Sequence, residues 1–284
     1  MQRFYPFLFV CLWSPGFIGA KYGLPYAEPL SFLLTRYGFV IALMLLIALA
    51  TRAPWPKEPA QWLHIGISGV LVHAIYLGGV FVAIKHGLPA GVTALVVGMQ
   101  PLLTALGAGW LLGEQVSGRQ WGGLALGFVG VGLVVSGKFG EAALGPMLIP
   151  ALVALLGITA GTLYQKRFCA KFDLRTGSVI QFVPTAIVTA IAIVLFEDFH
   201  VEWTGQFTFA LGWLVLVLSL GAISLLNLLI RSGSAVNVAS LFYLTPLSTA
   251  LIAWAIFGEK LTLTAAVGMA LAVSGVYLVA RPAK

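Results

Sequence analysis

At 284 residues, 60% hydrophobic and only 9% charged, the chain lies far outside the range of soluble domains, in which about a quarter of residues carry charge. A net charge of +7 and a pI of about 9.6 would suggest nucleic acid in a soluble protein, but in a chain this apolar the basic residues act first as topology signals. These properties describe a polytopic, all-α membrane protein with membrane lipids as its surroundings and no nucleic-acid partner.

A bilayer is crossed by about 20 mostly apolar residues in a helix. Ten such spans follow one another at 4–24, 29–50, 62–84, 90–112, 118–137, 146–165, 176–196, 208–230, 235–257 and 263–280. Breakers separate them, among them Pro25 and Pro29, Pro54 to Pro59, Gly113 and Gly118, Gly140 to Pro146, and Glu197 to Thr204. Every connection is short, so no soluble domain is expected. The first span has Arg3 and Lys21 at its ends and no small-residue cleavage site after it, so it is expected to be retained. Cys11 lies in an apolar span and Cys169 in a basic loop, and no disulfide is expected between them.

With a cytoplasmic N-terminus, Arg3, Arg52, Lys57, Arg119, Lys166, Arg167, Lys171, Arg175, Arg231, Arg281 and Lys284 fall inside, and Lys21, Lys85, Lys138 and Lys260 outside. The bias places both termini in the cytoplasm of a plasma membrane, for a bacterium the inner membrane. Arg36 is left within the second span, where it is expected to snorkel outward or meet carbonyls; Lys21 and Lys85 are also expected to snorkel.

The stretch from Ala90 to Val134 returns at Ala235 to Val279 with an offset of 145 and no gap, 17 of 45 positions being identical. Pro101-Leu102 matches Pro246-Leu247, Gly113-Glu114 matches Gly258-Glu259, and Gly130-Val131 matches Gly275-Val276. Apolar composition alone does not hold Pro, Gly and Glu in register, so the chain is a duplicated unit, with repeats expected at 1–138 and 146–284. Five spans per repeat is an odd number, so the second copy enters the bilayer from the opposite face. The expected architecture is a ten-helix, 5+5 inverted-topology repeat, which supplies two near-equal conformations, one open to each side.

Each copy carries a Gly-Glu break followed by Ser117 or Thr262, where the N-cap of the next helix belongs, with Glu114 and Glu259 near that helix N-terminus. Pro101 and Pro246 each remove a helix hydrogen bond, so both are expected to kink their spans near the midplane and to act as hinges. Gly122, Gly123, Gly127, Gly130 and Gly132, with Gly268, Ala272 and Gly275, offer small faces for close helix approach, within one copy or between two, so monomer and homodimer are both open.

Chemistry of the usual catalytic kinds is not legible. Residues 132–139 read GLVVSGKF, close to a phosphate-binding loop, but Phe139 stands where Ser or Thr would hold magnesium. No His/Cys cluster has metal spacing, and no Ser/His/Asp set shares a span, so neither metal nor cofactor is expected and the protein is not read as an enzyme. All nine acids fall at or beyond span ends, which speaks against carboxylate-based ion coupling. The titratable residue left in the core is His73, with Tyr76 on the same helical face. The candidate substrate-binding set is Trp13, His73, Tyr76, Thr93, Met99, Gln100, Tyr164, Ser224, Asn227, Ser240 and Tyr243. A single Ser or Thr among them is as readily structural glue. Large amphipathic rings at mid-depth suit a pocket for a small, partly apolar solute.

Leu12-Trp13-Ser14 with Lys21, Arg36 in the second span, and the duplicated Pro…Gly-Glu…Gly pattern resemble the EamA branch of the drug/metabolite transporter superfamily. The resemblance covers essentially the whole chain and implies a 5+5 inverted repeat that exports small metabolites from a cavity lined by helices one, three, four, six, eight and nine. His73, Tyr76 and the mid-span aromatics are most similar to the YddG-type exporters of aromatic and other neutral amino acids; position 95 departs from that pattern, being Leu. The alternative within the superfamily is a multidrug, organic-cation or nucleotide-sugar type transporter.

Overall fold

The computed structural model describes residues 4–88, 90–136, 146, 148–169, 172–257 and 262–280. Among them the regular elements are helices, with one isolated antiparallel bridge between Ala27 and Val201. Hydrocarbon offers no partner to a free N–H or C=O, so an apolar chain satisfies its backbone within helices. In order these are α1 (Tyr5–Tyr26), α2 (Pro29–Ala50), α3 (Pro59–Lys85), α4 (Val92–Leu112), α5 (Gly118–Val135), α6 (Leu148–Phe168), α7 (Leu174–Phe196), α8 (Gly205–Ser232), α9 (235–257) and α10 (Leu263–Ala280). Eight of them are long and apolar enough to cross a membrane among the described residues. The other two are α5, whose first turn holds Arg119 and Gln120, and α9, which a 3-10 turn at Leu241–Tyr243 interrupts.

Local chemistry places the helix ends. Pro29 and Pro59 open α2 and α3, where a missing N–H is harmless and φ is already helical. Ser117 and Gln120 close a capping box on α5, and Thr262 accepts from Ala265 N at 3.2 Å at the start of α10, as their positions predict. Gly113 ends α4 with φ of 67°, a left-handed conformation that favours glycine. Glu114 departs from expectation. Its Oε1 accepts from Ala235 N at 3.0 Å, so it caps α9 rather than the helix that follows it. Gly258, Glu259, Lys138 and Phe139 lie outside the described residues. Ser117→Ala is expected to cost about 1 kcal/mol, measured by equilibrium unfolding in mixed micelles; an unchanged midpoint would mean that the box is redundant.

The helices are irregular at matching places. Val70–Ile75 of α3 and Leu214–Ala222 of α8 are π-helical, and a shift of 145 carries the first inside the second. The break in α4 falls at Gly98 and Met99, and the 3-10 turn of α9 ends at Tyr243. Both breaks therefore lie just before Pro101 and Pro246 rather than at them, because a proline ring displaces the carbonyl of the preceding turn.

Packing follows the small residues. A Cβ on Gly275 would stand 2.5 Å from the carbonyl oxygen of Gly123, and one on Gly130 2.5 Å from Ala272 N, so α5 and α10 meet backbone to backbone. Gly157 of α6 lies equally close to Tyr76 N and Leu71 O of α3, 3.0 and 3.1 Å from a built Cβ. Helix α2 runs along α7, α3 packs on α6 and α7, α8 packs on α1 and α2, and α4 packs on α6 and α9.

Candidate functional site

The site is built outward from two consecutive residues of α2, Arg36 and Tyr37, both fully buried. Tyr37 Oη donates to the carbonyl oxygen of His73 at 2.8 Å, and Arg36 Nε donates to Ser219 Oγ at 2.9 Å. Both acceptors belong to π segments, one in α3 and one in α8. A π turn shifts the helical ladder by one residue, and such segments recur at functional sites. Arg36 Nη1 and Nη2 have no hydrogen-bond partner. The side chain neither snorkels nor meets a carbonyl as expected, because α7 and α8 flank α2 and enclose it.

Beside this pair sits an aromatic cluster. The rings of Trp13 and Tyr76 stack at 6.5 Å and 12°, and Phe242 stands edge-on to Trp13 at 5.3 Å and to Phe9 at 5.4 Å. His73 stacks on Phe182 at 4.3 Å with neither ring nitrogen partnered. Thus α1, α2, α3, α7, α8 and α9 bring Trp13, Tyr76 and His73 to the neighbourhood of Arg36. The sequence analysis did not count Arg36 as a site residue, although a charge within a span was itself the signal.

Other candidates are distributed elsewhere. Asn227 belongs to a buried amide network. Gln165 Nε2 donates to its Oδ1 at 2.9 Å, its Nδ2 donates to Gln181 Oε1 at 3.3 Å, and Gln181 Nε2 donates to Ser68 Oγ at 3.1 Å. Tyr164 pairs with His64 (Oη to Nδ1, 2.7 Å) and Phe168 at one end of the bundle, apart from the aromatic cluster. Ser240 is buried and donates to Asn237 O at 2.8 Å, a local helix bond. Tyr243 is buried against Gly127 with its hydroxyl unpartnered, and Gln100 is buried with both amide atoms unpartnered. Thr93 is fully buried, while Met99 and Ser224 are half-buried. At the end of α3, Lys85 Nζ reaches Leu24 O at 3.1 Å, Ala27 O at 3.2 Å and Glu28 Oε1 at 3.2 Å.

Side-chain contacts tie helices to one another at each end of the bundle. At one, Lys85 ties α3 to the α1–α2 connection, and Glu197 at the end of α7 accepts from Leu30 N at 3.0 Å. At the other, Arg231 Nη1 donates to Phe172 O at 2.8 Å and Thr176 Oγ1 to Pro54 O at 2.8 Å. Burial pushes the Glu197 carboxyl up against the lowering effect of the Leu30 and Ser31 N–H groups. The Arg175 side chain holds Asp173, the N-cap of α7, below the usual carboxylate range. For a lowered carboxyl the stabilising contribution is present at neutral pH and lost as the pH falls through and below the ordinary value of about 4. Asp173→Asn is therefore expected to flatten the acid limb of the stability profile, read from melting temperatures between about pH 6 and 3. An open cleft of about 500 Å³ between α3 and α7, lined by Trp62, Gly66, Val70, Val179 and Pro184, lies outside the cluster and is apolar.

Residues 4–136 and, separately, 145–281 match the EamA-like transporter family. The chain is 28% identical over 274 residues to the uncharacterized transporter YvbV of Bacillus subtilis (strain 168), covering 95% of this chain and 88% of that one. It is 25% identical to the uncharacterized inner membrane transporter YedA of Escherichia coli K12, over 90% and 83% of the two chains. A probable amino-acid metabolite efflux pump of Escherichia coli K12 is 26% identical over 95% and 92%. A crystal structure 22% identical in sequence superposes with a TM-score of 0.79 over 98% of this chain and 96% of that one, a likeness of fold alone. With two family matches that together take in nearly the whole sequence, on a bundle of membrane-length helices, the chain is a multi-pass membrane transporter and belongs to the EamA-like transporter family.

Proposed function

We propose that this transporter exports small neutral metabolites, aromatic and other neutral amino acids foremost, by alternating access between two inverted five-helix repeats, residues 1–138 and 146–284, without carboxylate-based ion coupling. The carrying observation is the buried aromatic cluster of Trp13, Tyr76, Phe9 and Phe242 where helices of both repeats meet. Such rings complement a flat apolar side chain by stacking and edge contacts. The efflux-pump relative supports the amino-acid reading.

The inverted arrangement is supported by contacts that come in matched sets. A shift of one repeat maps α3–α6 onto α8–α1, α3–α7 onto α8–α2 and α4–α6 onto α9–α1, while α2–α7 and α5–α10 map onto themselves. A two-fold axis relating α1–α5 to α6–α10 would produce such matched sets. The paired π segments and paired breaks add to it. In this reading Pro101 and Pro246 set the pivots, both termini are cytoplasmic, and Trp13, His73, Tyr76 and Tyr243 line the substrate's position. Organic-cation efflux is disfavoured by a buried cation, Arg36, with no carboxylate partner among the described residues. Nucleotide-sugar exchange would want several basic groups there.

Proteoliposomes offered labelled amino acids, sugars and organic cations test the reading. Aromatic amino acids are expected to be moved in preference to the other classes, with flux that persists when the proton gradient is collapsed. Preference for cations or sugars would overturn the substrate class; strict gradient dependence would overturn the uncoupled mechanism.

A further inference from the structure

We propose that Arg36 is the anion anchor of the substrate site, and that its free Nη1 and Nη2 groups bind the carboxylate of the transported molecule while the Trp13–Tyr76 face takes its apolar side chain. This deepens the amino-acid reading above and rests on it.

A guanidinium is always charged and carries five N–H donors in a rigid fork. Burying such a charge without a partner is strongly unfavourable. Arg36 has no measurable exposure, one bond from Nε to Ser219 Oγ at 2.9 Å, and no partner at either terminal nitrogen. The ion pairs found among the described residues, Lys85–Glu28, Arg175–Asp173 and His200–Glu202, all involve other groups. The cation–π contact found is Arg231 over Phe172, so ring faces do not neutralise Arg36. The bundle thus holds a positive charge whose complement does not come from the described side chains.

Geometry favours a carboxylate as that complement. The Ser219 bond pins the guanidinium through Nε and leaves the end of the fork free, the edge that meets two carboxylate oxygens in parallel N–H···O bonds. Tyr37, held to the His73 carbonyl at 2.8 Å, follows Arg36 directly in α2, and Tyr76 lies three residues beyond His73 in α3. Tyr76 also stacks on Trp13, so the charged end and the apolar end of one small solute find their matches on adjoining side chains. Arg36 reaches Ser219 in the π segment of α8, and its neighbour Tyr37 reaches His73 in that of α3, so both irregular turns lie one hydrogen bond from this pair of residues.

The test uses the full-length transporter in micelles and in liposomes, with four probes: phenylalanine, phenylalaninamide, 2-phenylethylamine and 3-phenylpropanoate. Wild type is expected to be thermally stabilised by the two carboxylates at concentrations at least tenfold lower than by the amide or amine. Arg36→Gln, which removes an unpaired buried charge and is expected to fold, should abolish that preference and raise the KM for phenylalanine counterflow at least tenfold. Arg36→Lys keeps the charge, loses the fork and should retain less than a tenth of the affinity. Ser219→Ala frees Nε and should weaken the preference about threefold even if the Arg36 variants do not fold. An Arg36→Gln protein that still prefers carboxylates, or a wild type that takes the amide as readily as the acid, overturns the anchor and leaves amino-acid export standing. Recognition of 3-phenylpropanoate without phenylalanine overturns the amino-acid reading and keeps the anchor. Response to none of the four overturns both.

Discussion

Gly275→Val is expected to leave little folded protein. A Cβ at this position would meet the carbonyl oxygen of Gly123 at 2.5 Å and Gly127 N at 2.6 Å, backbone atoms of α5 that have nowhere to go. The opposing Gly268 and Gly130 are as tightly placed, so α10 cannot slide along α5 to escape the clash. Two helices held apart by the added methyl groups lose dispersion contacts along their whole crossing, and overpacking of this kind destabilises by more than the usual 1–3 kcal/mol. Monodispersity in detergent and the melting temperature report it. Gly132→Ala and Gly122→Ala on α5 meet nothing within 4 Å, so both should keep wild-type behaviour or gain slightly. A Gly275→Val protein that elutes and melts like wild type would refute the backbone-to-backbone crossing.

Trp13→Ala is expected to lose transport by more than tenfold and stability by about 3–5 kcal/mol. Trp13 is 3% exposed and touches Phe9, Tyr76 and Phe242, so truncation opens a cavity in the middle of the bundle as well as removing a stacking surface. The sequence analysis treats Trp13 as a pocket residue; the structure makes it a core residue at the same time. Trp13→Phe separates the two roles. It retains an aromatic ring in the cluster and should fold near wild type, while the smaller face should still raise the KM for aromatic substrates severalfold. Full transport by folded Trp13→Ala would remove the aromatic cluster from the substrate path.

Much of this architecture is legible in the sequence because the bilayer imposes a simple rule. Runs of about 20 apolar residues, breakers between them and a 145-residue offset need no tertiary knowledge. Ser117 and Thr262 are found at their caps because an N-cap is satisfied within one turn. The candidate site is legible only in part. Trp13, His73 and Tyr76 come together near Arg36, whereas Tyr164 turns to His64 and Asn227 to Gln165 and Gln181. Which polar group a side chain meets depends on the neighbour's rotation about its own axis, and periodicity within one helix does not contain that angle.

By itself, the sequence determined that this is a membrane-embedded helical protein with an internal match at an offset of 145 residues, and where most helices begin and end, because hydrophobic length, proline and capping chemistry act over a few residues. Tertiary structure alone decided that Arg36 is buried with two free nitrogens, that Glu114 caps α9, and that α3 and α8 carry π turns at matching depth. The first two are contacts between helices far apart in the chain: Arg36 meets Ser219 across 183 residues and Glu114 meets Ala235 across 121. Such pairings are set by how the helices pack, and packing is a property of the assembled bundle.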